Sequence, residues 1–280
     1  MDLKRIFMNI FLGIPKLRTK EEYFDNIDRI LINKHIQNQR NEDLYGYISR
    51  VDQNKDYKGC IIILHGISDN RKDFFENYWL RDNMRDDFLY VIPDFPGFGE
   101  SKLSFTKIGC YEMILNWMCV VKKDYGLNKF IIVGQSFGST LGLDFYRWMS
   151  ENDLLDTKET DKSEKFYLKK LILYSPFAVT HVAVLQYYLL GWANRVLGPI
   201  VRYLVNEEID FDLTNLPKKL DPSIVELIYT PGDSLVPYTN SLMILENFKA
   251  KSRMIEAKNH INLFICNEVW QESYNNLIDE

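Results

Sequence analysis

Several features that mark whole classes of protein are scarce in this chain. Its four cysteines, Cys60, Cys110, Cys119 and Cys266, include no C-x-x-C pair. That excludes a disulfide scaffold, and the thiols read as reduced core residues in a reducing, cytoplasmic-type compartment. Histidine is equally sparse: His35, His65, His181 and His260 are all there are, and no two are spaced as zinc ligands. Basic charge is not in excess either, since 34 Lys and Arg face 39 Asp and Glu for a net charge of −5. A nucleic-acid partner, which needs a basic surface to displace counterions from phosphates, is therefore not expected. No uninterrupted apolar run reaches the ~20 residues that span a bilayer, and there is no internal repeat or low-complexity tract. What remains is a chain of 280 residues, 46% hydrophobic. A chain this long buries ~75% of its unfolded surface without staples, so one domain carrying an insertion is expected.

Residues 1–27 stand apart as an N-terminal amphipathic segment. Ile6, Phe7, Ile10, Phe11 and Ile14 would share one side of a helix, preceded by Lys4 and Arg5 and followed by Lys16, Arg18 and Lys20. Three readings stay open. A signal peptide would have to tolerate Asn9 in its apolar stretch and the lack of a small-x-small cleavage site. An interfacial helix with basic flanks would give residues 1–20 a peripheral membrane contact. An ordinary helix packed on the domain is the third.

From residue 28 onward, short apolar runs alternate with helical patterns. Asp28–Ile32 and Leu44–Val51 read as two antiparallel strands joined by the polar Asn38–Asp43 turn. Cys60–Leu64 (CIIIL), Phe88–Ile92, Phe130–Val133, Leu171–Tyr174 and Val225–Tyr229 are continuous apolar runs, the pattern of strands buried on both faces of a parallel sheet. Arg253–Ala257 is a weaker last strand. Helical stretches lie at Cys110–Lys123, Phe137–Ser150, Tyr238–Phe248 and Leu263–Ile278. This alternation predicts βαβ units in a doubly wound, mostly parallel sheet. Two stretches interrupt it. Glu151–Lys165 is rich in both charge signs and reads as a solvated loop. Residues 176–221 contain no clear strand, and the apolar Val182–Val205 within them is broken by Arg195, Gly198-Pro199 and Arg202, which suits two short cap helices better than a membrane span.

The chemistry begins at Gly134-Gln135-Ser136-Phe137-Gly138, a G-x-S-x-G that closes one predicted strand and opens a helix. Such a turn exposes the serine Oγ at the carboxyl edge of a sheet, with a helix N-terminus behind it to favour developing negative charge. A serine hydroxyl needs a base. His260 follows the last predicted strand, in the order serine, acid, histidine; His181 reads as a rim or packing residue and His35 as a surface one. Asp233, in the Pro231-Gly232-Asp233-Ser234 turn, is the acid that would hold His260 in its tautomer, with Asp221 as the other acid to be considered. Two backbone N–H groups would steady an oxyanion: that of Phe137, and that of Ile67 in Leu64-His65-Gly66-Ile67. His65 reads as fixing that loop's shape.

Taken in order, His65-Gly66, Asp94-Phe95-Pro96-Gly97-Phe98-Gly99-Glu100-Ser101, the Ser136 turn, and the late Asp233 and His260 resemble an α/β-hydrolase-fold serine hydrolase over about residues 28–278. In general style the likeness is greatest to monoacylglycerol lipases, lysophospholipases and carboxylesterases. The resemblance implies a core of residues 28–175 and 222–280, with 176–221 as a helical cap, and it gives the D-x-P-G-x-G-x-S segment an architectural role. The cap here is rich in aromatics, unlike the family's habit of a small residue near its start.

An apolar cap and an amphipathic N-terminus together point to a lipid-derived ester, with Leu185, Tyr188 and Trp192 as candidate substrate-binding residues. The expected chemistry is carboxylic ester hydrolysis through Ser136, His260 and Asp233, without metal or cofactor. The alternatives are a non-catalytic binding protein, or C–C bond hydrolysis or transacylation on the same fold.

Overall fold

The computed structural model describes residues 31–37, 43–49, 52, 55–67, 71, 84–101, 105–158, 164–180, 210–260 and 263. The expectations for the N-terminal segment, for the cap helices with His181, Leu185, Tyr188 and Trp192, for Cys266 and for the last helix beyond Leu263 lie outside these residues.

Eight strands form one sheet in the order β1-β2-β4-β3-β5-β6-β7-β8. Their ranges are Leu31–Gln37, Asp43–Ser49, Cys60–Leu64, Leu89–Pro93, Lys129–Gln135, Tyr167–Tyr174, Val225–Tyr229 and Lys251–Met254. β1 pairs antiparallel with β2, and β2 with β4; every later pair is parallel. The central runs are apolar throughout because both faces are covered. Ile62, Leu64, Ile132 and Leu173 face one core, while Ile61, Ile63, Val133 and Ile172 face the other, the alternation a pleated strand imposes. The first core includes side chains of two helices, α1 (Lys107–Tyr125) and α2 (Phe137–Glu151). α1 is delimited by Thr106, whose hydroxyl accepts from the Gly109 N–H, and by Gly126 in the left-handed region. The third described helix, α3, is Thr239–Asn247.

Several boundaries differ from expectation, those of the two edge strands among them. The first strand runs on through Gln37, because Lys34 to Gln37 pair residue by residue with Asp43 to Gly46, and Ile36 turns into the core while His35 is exposed, as on an edge strand with one covered face. The last strand begins at Lys251 and ends at Met254; it too is an edge strand, largely exposed, so the apolar signal used to find it was weak. Cys60 and Cys110 are buried, as a core reading requires, and burial pushes both thiols up. Cys119 is exposed on α1, where its position on the helix sets it away from the buried stripe.

One buried charge ties the helices to the chain that returns to β7. Asp144 on α2 has no exposed surface, and Tyr111, Lys107 and Arg147 converge on its carboxylate. The two cations continue outward: Lys107 Nζ donates to the Asp210 carbonyl at 3.3 Å and Arg147 to the Asp212 carbonyl at 3.0 Å. Beside them the Thr180 N–H donates to the Phe211 carbonyl and the Leu213 N–H to that of Ala178, so the chain leaving β6 and the chain returning to β7 are paired across the gap 181–209. Removing the carboxylate would strand two half-buried cations. Asp144→Ala is expected to lower the unfolding free energy by about 3 kcal/mol, measured by urea titration; a loss under about 1 kcal/mol would show that the cluster is a surface convenience.

Candidate active site

β5 ends at Gln135 and α2 begins at Phe137, leaving a single residue to turn the chain. Ser136 does so at φ 52°, ψ −116°, a region that L-residues enter only under strain. The strain is held from two sides. Its N–H donates to the Tyr174 carbonyl at the end of β6 (2.8 Å), and the Ser139 hydroxyl donates to that same carbonyl at 2.8 Å. The flanking glycines permit the fold-back. A Cβ on Gly134 would sit 2.6 Å from Ser139 Cα, and one on Gly138 would overlap the carbonyls of Leu64 and His65. Helix α2 therefore starts in direct contact with the end of β3.

The ends of β5, β6 and β7 lie on one edge of the sheet, since the strands are parallel and in register. Asp233 follows β7 on that edge, buried at 4% exposure. Its Oδ1 accepts the backbone N–H groups of Leu235 (3.0 Å) and Val236 (2.8 Å). Its Oδ2 lies 2.6 Å from His260 Nδ1, across 27 residues of chain. Thr230 stitches the two loops together: its hydroxyl donates to the Ala257 carbonyl and accepts from the Ala257 N–H. Asp221, the other acid considered, precedes β7 at the opposite edge and is occupied as an N-terminal cap, accepting from the Ser223 N–H.

The loop after β3 carries Ile67, half-buried against the core, and adjoins the start of α2 through the Gly138 contact. Phe137, the first residue of α2, has no intrahelical acceptor for its N–H. The ring of Phe137 is wedged among Phe95, Phe105, Phe177 and Phe211, with centroids 5.4 to 6.3 Å away. His65 is no base. It is wholly buried, its Nδ1 donates to the Gly66 carbonyl at 2.7 Å, and its ring packs 4.0 Å from that of Phe95. Desolvation, aided by the Arg71 charge, lowers its pKa to about 4. Next to it, Asp94 is fully buried and binds both the guanidinium and the backbone N–H of Arg71, while Glu100 takes the other side of the same guanidinium. The loops after β3 and β4 are thereby locked to each other, which is the architectural work expected of the Asp94–Ser101 segment.

Comparison with known proteins bears on the fold. Residues 59–146 match the family model described as alpha/beta hydrolase fold. An α/β hydrolase from Vibrio vulnificus superposes with a TM-score of 0.71 at 15% identity, covering 100% of this chain and 94% of its own. The Pyrococcus furiosus esterase Pf2001 gives 0.64 at 17%, covering 94% and 95%. The 2-hydroxy-6-oxo-6-phenylhexa-2,4-dienoate hydrolase of a Rhodococcus strain gives 0.58 at 16%, covering 89% and 99%. The chain has the α/β-hydrolase fold. At these identities the likeness is one of fold, and no curated protein matches the sequence.

Within this fold the structure brings Asp233 and His260 together, sets Ser136 on the same edge and seats the Ile67 loop against the start of α2. Sequence reasoning missed two contributors. Arg71 had no motif to announce it, lying six residues past His65. Ser175 follows β6 in an ordinary Tyr-Ser-Pro, yet its hydroxyl reaches Asp233. Among the described residues there is no group of three His, Cys, Asp or Glu side chains that could hold a metal, and no helix is long and apolar enough to cross a membrane.

The buried His65 makes stability depend on pH. Between its ordinary value near 6.5 and about 4, the unfolded chain binds a proton that the native protein refuses. The contribution of His65 to stability is therefore full above pH 6.5, declines as the pH falls toward 4 and levels off below it, by up to about 3 kcal/mol. Urea titrations from pH 7 to pH 4 should fall more steeply for the parent than for His65→Asn; parallel profiles would mean that His65 titrates normally.

Proposed function

We propose that the protein is a serine hydrolase that cleaves carboxylic esters, with Ser136 as nucleophile, His260 as general base and Asp233 as its orienting acid. The observation that carries this reading is the buried 2.6 Å contact between His260 Nδ1 and Asp233 Oδ2, on the edge where Ser136 is held in its strained turn. A carboxylate so placed keeps the imidazole in the tautomer whose Nε2 is free to accept a proton. Ser136 Oγ attacks the ester carbonyl as its proton passes to His260 Nε2. The oxygen gains a negative charge in the tetrahedral intermediate, next to the N–H groups of Phe137 and Ile67. His260 then hands the proton to the departing alcohol. A water molecule, deprotonated by the same nitrogen, attacks the acyl-enzyme and releases the acid with Ser136 restored.

A lipid-derived ester, of the monoacylglycerol or lysophospholipid kind, is the substrate class that we favour. Leu235 and Tyr238, on the turn that follows Asp233, are each more than a third exposed, an apolar rim suited to an acyl chain rather than to a charged acid. The P. furiosus neighbour is named an esterase, which supports the ester reading. Hydrolysis of a C–C bond is the second reading, favoured by the neighbour named as a 2-hydroxy-6-oxo-6-phenylhexa-2,4-dienoate hydrolase.

A fluorophosphonate probe should label the parent protein and leave Ser136→Ala unlabelled. Nitrophenyl esters of graded length should be hydrolysed with a maximum at a medium or long chain. Asp233→Asn should cut kcat by about 10³–10⁴-fold through the wrong tautomer. A folded parent that takes up no probe would make this a binding protein. Labelling without ester turnover would favour the C–C reading.

A further inference from the structure

Four donors converge on Asp233: two close its own turn, one is the imidazole that the mechanism uses, and the fourth has no role so far. The backbone N–H groups of Leu235 and Val236 hold Oδ1, and His260 holds Oδ2. The fourth is the hydroxyl of Ser175, which donates to Oδ2 at 2.7 Å, the oxygen already shared with the imidazole. Ser175 is 2% exposed and directly follows β6. Its backbone is at φ 47°, a conformation that is strained for a residue with a Cβ and that glycine would adopt freely. Its N–H donates to the Ile228 carbonyl of β7 at 2.8 Å, which fixes the residue beside the loop that carries Asp233. A position that strains any residue except glycine, yet holds a serine with its hydroxyl spent on one carboxylate oxygen, points to a use for that hydroxyl.

We propose that Ser175 is a positioning residue for the Asp233–His260 pair, aiming Oδ2 at Nδ1 and sharing the charge of that oxygen with the imidazole. The inference rests on the serine-hydrolase reading above. Two donors on one carboxylate oxygen compete for its charge. With the hydroxyl present, less of that charge is available to stabilise the imidazolium. Without it, the carboxylate loses one of its two orienting contacts on Oδ2 and binds the imidazolium more tightly, so the base is both less well aimed and more often already protonated. Other ionisable groups on the surrounding elements do not compete for this role. Tyr174 ends β6 and burial holds its phenol far above its usual range. Tyr229 ends β7 and stacks on Tyr238 ahead of α3. Glu256 and Lys258, on the approach to His260, are exposed, and burial lowers the pKa of His65 on the β3 loop to about 4.

The test compares Ser175→Ala with Ser175→Gly. Both lack the hydroxyl; the glycine also relieves the backbone, so it guards against a variant that merely misfolds. Both should lose kcat by about tenfold, with KM within about twofold of the parent. In both, the acid limb of kcat/KM should move to higher pH. A glycine variant with parent kcat and parent pH limb would overturn the inference, whatever the alanine variant does, since it would trace any loss to the backbone. Fluorophosphonate labelling of the parent separates this outcome from failure of the functional reading. A labelled parent with indifferent Ser175 variants rejects only the role of Ser175, whereas an unlabelled parent rejects the reading on which it depends.

Discussion

The carbonyl of Tyr174 accepts two hydrogen bonds at the end of β6, from the Ser136 N–H and from the Ser139 hydroxyl. Much of the site is placed by that one acceptor. It pins a strained residue between the last residue of β5 and the first of α2, so the helix starts where the strand stops and its unpaired N–H groups open on the sheet edge. The contact is possible only because β5 and β6 run parallel and in register up to Gln135 and Tyr174. It also requires that α2 come close enough to β3 that no side chain fits at Gly138. Remove the parallel register and the turn has no anchor; add bulk at the glycine and the helix is pushed off the loop that carries Ile67.

Around this anchor the protein spends its buried charge on fastening loops rather than on stabilising the core. Asp94 and Arg71 lock the loops after β3 and β4, Asp144 binds α1 and α2 to the chain returning from residue 209, and Asp233 joins the loops after β7 and β8. Each carboxylate is nearly or wholly buried, and each is matched by several donors, as a desolvated charge must be. The apolar sheet supplies the bulk of the folding energy; these clusters decide which way the loops at its edge settle.

How much of this could be read from the sequence varied with the kind of force involved. The strands CIIIL and VELIY were found at their true limits because burial on both faces leaves a plain apolar signal. β1 and β8 were misplaced because edge strands owe their existence to backbone pairing, which side chains do not advertise. The turn at Ser136 was legible because a sharp turn between strand and helix demands particular residue types at fixed spacing, and the meeting of Asp233 with His260 because each follows a strand of the same parallel sheet. Arg71 and Ser175 were not. Each acts through a partner that folding brings near, 23 residues away for Asp94 and 58 for Asp233, and nothing local sets such a residue apart from an ordinary arginine or serine. Cys119 shows the converse error, a thiol judged buried from its residue type when only its place on the helix could decide.

The pairing of Ala178 and Thr180 with Leu213 and Phe211 also bears on how such a protein can diversify. The two chain ends that flank residues 181–209 meet in a closed, hydrogen-bonded clasp, so the sheet does not depend on the length of what is threaded between them. For any chain segment closed at its ends, doubling the length costs on the order of 0.6 kcal/mol of closure entropy. The sequence between the clasped ends can therefore change from one relative to the next, as a tool bit is changed in a chuck, while the strands and the turn at Ser136 are left alone.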